Sequence, residues 1–166
     1  MSIKIEANIT KKAIYDFLLY KTYTGIFGIF VVAVGFVNLL LGIQNLRAGT
    51  PSEAGVKFLF ALIFIVGMPV MLWFTAGKQA SGVAQFQKPI IYEFLDDGLR
   101  VAQDEMENTV PWSSFMKAMA TKNCIFLFQD KNRGLILPRC DLGDQEMAVI
   151  EAISTHMDPS RVKIRR

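Results

Sequence analysis

Charge is absent from two long stretches of this sequence, although charged residues make up 20% of the whole. Residues 25–43 carry none and have one strongly polar side chain, Asn38; residues 58–76 also carry none. Each run is 19 residues long. At about 1.5 Å of rise per residue, a helix of that length reaches roughly 28 Å, close to the ~30 Å hydrocarbon thickness of a bilayer. The runs therefore predict two membrane-spanning helices, joined as an antiparallel hairpin by the polar segment 44–57. A secretory signal peptide fits poorly: 24 mixed residues precede the first run, and the run exceeds the roughly 7–15 residues of a signal's apolar region.

The residues of common catalytic and metal chemistry are also scarce. Histidine occurs once, at His156, and cysteine twice, at Cys124 and Cys140. One such pair makes neither a zinc pattern nor a CxxC redox motif. Both cysteines are expected as free thiols, with Cys124 in the core at the start of an apolar strand. The sequence has no phosphate-binding glycine loop, no Gly-x-Ser-x-Gly elbow and no HExxH. The acidic turns Asp96-Asp97 and Asp104-Glu105, with Glu107, fall short of a calcium loop. No carboxylate or histidine interrupts the spans, as a proton relay would require. Basic and acidic residues are nearly balanced, 18 against 15, and no basic face with interleaved aromatics suggests nucleic acid. The expectation is a protein that is not an enzyme and has no catalytic residue, cofactor, metal site or nucleic-acid partner. His156 falls near the end of the last predicted helix, where a cation complements the helix terminus.

What is present divides into segments. Residues 1–23 read as a strand and an amphipathic helix. Ile3, Ile5, Ala7 and Ile9 alternate onto one strand face, Asn8 or Thr10 can cap the helix, and Ala13, Ile14, Phe17 and Leu18 form its apolar side. That helix suits a membrane surface or the cytoplasmic end of the first span. Residues 24–76 form the hairpin, 77–89 a connector able to prolong the second span, and 90–166 a cytoplasmic domain. Lys4, Lys11, Lys12 and Lys21 precede the first span and Lys78 and Lys88 follow the second, whereas the loop holds Arg47 and Lys57. This asymmetry predicts a multi-pass protein of the cytoplasmic membrane with both termini cytoplasmic. Its first partner is the lipid bilayer. The basic tail of Arg161, Lys163, Arg165 and Arg166 meets anionic headgroups or remains a solvated terminus.

From residue 90 the apolar period becomes two. Strands are predicted at 90–95, 99–103, 124–129 and 135–137. Turns fall at 96–98, with Gly98 available for a positive φ, at 104–108, and at 130–134 with Asn132 and Gly134. Ile91, Phe94, Leu99, Val101, Ile125, Leu127, Leu135 and Ile136 are the core candidates, depending on strand register. Residues 143–156 have a helical period with Met147, Ile150 and Ile153 on one face and Asp141 or Asp144 as cap. The fold class is thus a membrane α-helical hairpin plus a small α+β domain, an antiparallel sheet with a C-terminal helix.

Four residues of the first span suggest a packing seam. Gly28, Gly35 and Gly42 recur every seven residues with Asn38 a turn from the last two. Small residues let helices approach closely, and an amide can hydrogen-bond across them. Pro69 interrupts the second span and frees the Ile65 carbonyl, which predicts a kink. In the C-terminal domain Trp112 and Arg139 are the candidate contacts to a partner or lipid headgroup. Core packing of Trp112, and an ion pair of Arg139 with Asp141 or Asp144, are the competing readings.

The segments 91–98 (Ile-Tyr-Glu-Phe-Leu-Asp-Asp-Gly), 110–117 (Val-Pro-Trp-Ser-Ser-Phe-Met-Lys) and 135–139 (Leu-Ile-Leu-Pro-Arg), with the order of parts around them, resemble the YcxB-like family of small bacterial membrane proteins. The likeness departs after Arg139, where an aromatic is frequent and this sequence has Cys140, Asp141 and Leu142. The resemblance implies a domain similar to bacterial pleckstrin-homology-like domains, with no activity attached. The expected function is a membrane-anchored binding or scaffold module, engaging a protein partner or another copy of itself. By analogy with other small proteins of this tail type, an alternative is an immunity protein against a membrane-active peptide. An oligomeric transporter component or an enzyme stands third.

Overall fold

The computed structural model describes residues 3–131 and 133–164. The expected tail residues Arg165 and Arg166, the turn residue Asn132 and the first residues of the chain lie outside these. The chain divides into two compact units. One unites the residues up to Phe17 with those from Ala76 onward; the other is Leu18–Thr75.

In the first unit, β1 (Ile3–Ala7) gives way at Asn8, and Thr10 immediately precedes α1 (Lys11–Thr24). The Thr10 hydroxyl oxygen accepts from the Ala13 N–H at 3.3 Å, satisfying one free donor of the first turn. β1 pairs antiparallel with β2 (Ile90–Phe94), Ile5 opposite Tyr92. β2 continues into β3 (Gly98–Gln103) and β4 (Met106–Pro111), giving the order β1-β2-β3-β4. A second sheet has β5 (Lys117–Ala120), β6 (Cys124–Phe128) and β7 (Gly134–Pro138), with β8 (Val162–Lys163) added parallel to β5. The predicted single antiparallel sheet is therefore two sheets, one with a parallel edge. Two short helical segments, α4 (Arg139–Leu142) and a 3-10 turn at Gly143–Gln145, precede α5 (Glu146–His156).

The core explains this arrangement. Tyr92, Leu99, Phe115, Ile125, Phe126 and Leu137 are essentially inaccessible. Phe17 of α1 meets Phe126 edge-on and stacks with Phe128, both at 5.5 Å between ring centres. Ala13 and Ile14 are also buried. The apolar side of α1 is thus covered by protein at its start, and the helix ends at Thr24, one residue before α2 begins at Ile26. Val149, Ile150 and Ile153 are the buried side of α5, whereas Met147 is 56% exposed. The spacing had placed Met147 with Ile150 and Ile153. Because the helix begins only at Glu146, Met147 belongs to a first turn outside the core. Neither acid caps α5: its N-cap is Gln145, with no side-chain bond, and Asp141 instead accepts from the Asn8 N–H at 2.7 Å.

Three strand details differ from expectation. The β3–β4 turn is only Asp104 and Glu105, because Met106–Asn108 pair with β3. Asp104 takes the left-handed backbone (φ 52°) that a tight turn demands and an aspartate tolerates. Ile91 is half-buried while its neighbours Ile90 and Tyr92 point inward, a shift of one residue that exchanges faces. Gly98 is required for space rather than for a positive φ: an added Cβ would stand 2.4 Å from the Val110 carbonyl oxygen of β4.

In the second unit α2 (Ile26–Arg47) packs against α3 (Pro51–Gly82). Only Ala48–Thr50 separate them, not the predicted loop 44–57. Nothing in residues 44–47 breaks a helix, Gly49 ends the turn with φ 78°, and Pro51 occupies the first helical position, where its fixed φ is favourable. Both helices are long and apolar enough to cross a membrane. Ile26, Phe27, Phe36, Leu40, Leu62 and Phe74 are more than half exposed. α3 widens to a π-helical turn at Ile63–Gly67, just ahead of Pro69. A proline cannot donate to the carbonyl four residues back and its ring crowds that position, and an extra residue in the turn relieves both.

Candidate functional site

The four seam candidates do not act alike. An added Cβ at Gly35 would lie 2.7 Å from Ile65 Cγ1, and one at Gly42 would lie 2.8 Å from Phe58 Cε1. These two glycines admit side chains of α3. Gly28 serves a different contact: its Cβ would lie 2.0 Å from the Thr22 carbonyl oxygen, so it lets α2 turn back against the end of α1. Asn38 is half-buried, and its amide donates to the Val34 carbonyl at 2.9 Å. That bond lies within its own helix, so among the described contacts the amide does not reach across the hairpin.

Trp112 sits on a 3-10 turn after β4, held by packing rather than offered to a surface. Its indole N–H donates to the Leu95 carbonyl at 2.9 Å, and its ring adjoins Phe94 and Phe115. The His156 imidazole stacks on it at 5.3 Å with 11° between planes, and its Nε2 stands 4.0 Å from an Asp96 carboxylate oxygen. Trp112 thereby ties the β2–β3 turn to the end of α5. As a contact for a partner it is withdrawn; the packing reading describes it.

Arg139 opens α4 directly after Pro138, and its backbone N–H donates to the Asn123 carbonyl at 2.8 Å. Its guanidinium Nη1 contacts Glu146 at 2.5 Å, so the ion-pair partner is neither Asp141 nor Asp144. The intervening segment curls, bringing the residue seven positions on within reach. Its Nε is buried without a hydrogen-bond acceptor among the described residues. Lys12 of α1 and Lys122 of the β5–β6 turn line one small cleft with Arg139. Neither lysine is distinguished in the sequence, because three separate elements bring the cations together.

The two thiols are free. Burial pushes the Cys124 thiol up to about 12, which keeps it protonated and inert. Cys140 is exposed; desolvation, then the hydrogen bond to Asp141 and that carboxylate's charge, also raise its pKa. Among the described residues no group of three or more histidine, cysteine or acidic side chains is placed to hold a metal ion.

Two β-sheets with a closing C-terminal helix, joined to two long apolar helices, define the class of protein structurally. Residues 94–150, from the end of β2 into α5, match the family model described as YcxB-like protein. That stretch of the chain is YcxB-like, as the motifs at 110–117 and 135–139 suggested. No curated protein and no solved structure matches the chain.

Proposed function

We infer that the protein is a non-enzymatic binding module anchored in the cytoplasmic membrane. α2 and α3 cross the bilayer as a hairpin, and the globular unit stands at the cytoplasmic face with both termini. The observation that carries this reading is the run of exposed apolar side chains along both long helices, which water would penalise and lipid would not. The basic flanks support the orientation: six lysines border the outer ends of the two spans, against Arg47 and Lys57 near the turn. The globular unit has a pleckstrin-homology-like layout in this reading, with two sheets closed by α5. Its buried residues are spent on packing, and its contacts to a protein partner or a second copy come from exposed polar groups.

The test uses thiols. With Cys140 as the native probe, an impermeant maleimide should label it only after cells are permeabilised. Ser52→Cys, placed at the exposed start of α3 in a Cys140→Ser background, should label in intact cells. Labelling of Cys140 from outside, or failure of the Ser52→Cys position to react, would overturn the topology.

A further inference from the structure

We propose that the cleft between the start of α1, the β5–β6 turn and the β7–α4 junction binds a phosphoryl group, carried by a phospholipid headgroup or by a soluble phosphomonoester. The cleft encloses about 270 Å³, small for a drug-sized ligand and suited to a compact anion. Its lining includes Lys12, Lys122 and Arg139, together with the polar groups of Thr10 and Asn123, and no acidic side chain. Three cations from three elements therefore converge on one concavity. Lys12 and Lys122 are exposed, and neither is held by an ion pair or hydrogen bond to a described residue. Arg139 spends Nη1 on Glu146 but keeps a buried Nε with no acceptor among the described residues.

The nearby carboxylates are otherwise engaged. Asp16 accepts from the Thr121 hydroxyl, Asp141 from the Asn8 N–H and the Cys140 thiol, and Glu146 from Arg139. They hold the walls in place, and although Asp16 and Asp141 keep their charge, none of the three pairs with Lys12 or Lys122, whose ammonium groups stay available to an incoming anion. Thr10 accepts through its oxygen from Ala13, which leaves its hydroxyl proton for an anion. A phosphoryl group supplies several acceptor oxygens and up to two negative charges, and charge-assisted hydrogen bonds to it are the strong kind. A monocarboxylate offers fewer acceptors and less charge to the same donors.

Cys140 lines the cleft and is exposed, whereas Cys124 is buried, so the alkylation rate of Cys140 reports occupancy. The full chain in phosphatidylcholine nanodiscs would be reacted with a maleimide, with and without inorganic phosphate, and again with phosphatidic acid in the nanodisc. Phosphate or phosphatidic acid should slow alkylation several-fold. K12Q/K122Q should weaken that protection by about tenfold per charge removed, while K12R/K122R should retain it. Protection confined to phosphatidic acid nanodiscs assigns the group to a lipid headgroup; protection by free phosphate assigns it to a soluble phosphomonoester. The proposal is overturned if neither slows the reaction, if sodium acetate at equal ionic strength does so equally, or if K12Q/K122Q is protected like the parent. It rests on the reading of the globular unit as a binding module but not on membrane orientation. The alkylation result and the topology result can therefore fail separately.

Discussion

At the scale of single residues, the two cysteines show how position rather than type sets reactivity. Both thiols are raised, Cys124 chiefly by burial, Cys140 by desolvation and then by Asp141. The Asp141 carboxylate favours the protonated thiol twice over, as hydrogen-bond acceptor and as a like charge facing the thiolate. Asp141→Asn should therefore move the pH midpoint of Cys140 alkylation downward and speed the reaction several-fold near neutral pH, since only the thiolate attacks. An asparagine oxygen still accepts from Asn8, so the fold is retained. A rate–pH profile that stays in place would show that Asp141 does not set the thiol. The buried character of Cys124 was legible in the sequence from the apolar run after it. The role of Gly98 was not: a close approach to a strand that arrives later in the chain leaves no local trace, and the glycine read instead as a turn residue.

At the scale of elements, the two long apolar helices were the most legible part, because each follows an uncharged run of helical length. Their ends were less so. Helix propensity continues through residues 44–47 and again from Pro51, so polarity marked a loop where only three residues leave the helix. The glycine repeat gave the right residues one common purpose, yet the structure splits it: Gly35 and Gly42 admit α3 while Gly28 admits the end of α1. Gly35→Leu should cost about 1–3 kcal/mol, the usual penalty of overpacking, because Ile65 and Phe64 already occupy the space. Val32→Leu, at a position 43% exposed, should stay within about 0.5 kcal/mol. Thermal unfolding in one detergent compares the two; equal melting temperatures would show that the Gly35 contact does not hold the hairpin together. In the C-terminal strands a single-residue error of phase misplaced Ile91, and the true start of α5 displaced Met147. The cationic cleft was illegible for a related reason. Arg139 stood out beside Pro138, but Lys12 and Lys122 become its neighbours only through sheet pairing and the docking of α1.

At the scale of the whole molecule, the chain builds its globular unit from both ends, with the hairpin inserted between the first helix and the second strand. Sequence reading placed residues 1–23 and 90–166 in separate segments, since nothing local announces that β1 belongs beside β2. The register Ile5 to Tyr92, with Ala7, Ile9, Ala13 and Ile14 buried, makes the N-terminal piece part of the core. Burying a large aliphatic side chain contributes roughly 1.5–3 kcal/mol, so Ile5, Ile9 and Ile14 together contribute about 5–9 kcal/mol as an upper bound. That is comparable with the total stability of a small domain, about 5–15 kcal/mol. A fragment of residues 76–166 should therefore fail to fold alone. It should lack cooperative thermal unfolding and expose Cys124 to alkylation, because the strand that covers β2 and the helix that carries Phe17 are both missing. Joining residues 1–17 to its start through a flexible glycine–serine linker should restore a cooperative transition and silence Cys124, with no membrane segment present. A fragment of 76–166 that folds cooperatively with Cys124 protected would show that the strands from β2 onward are sufficient. The first seventeen residues would then be an attachment to the unit rather than part of it.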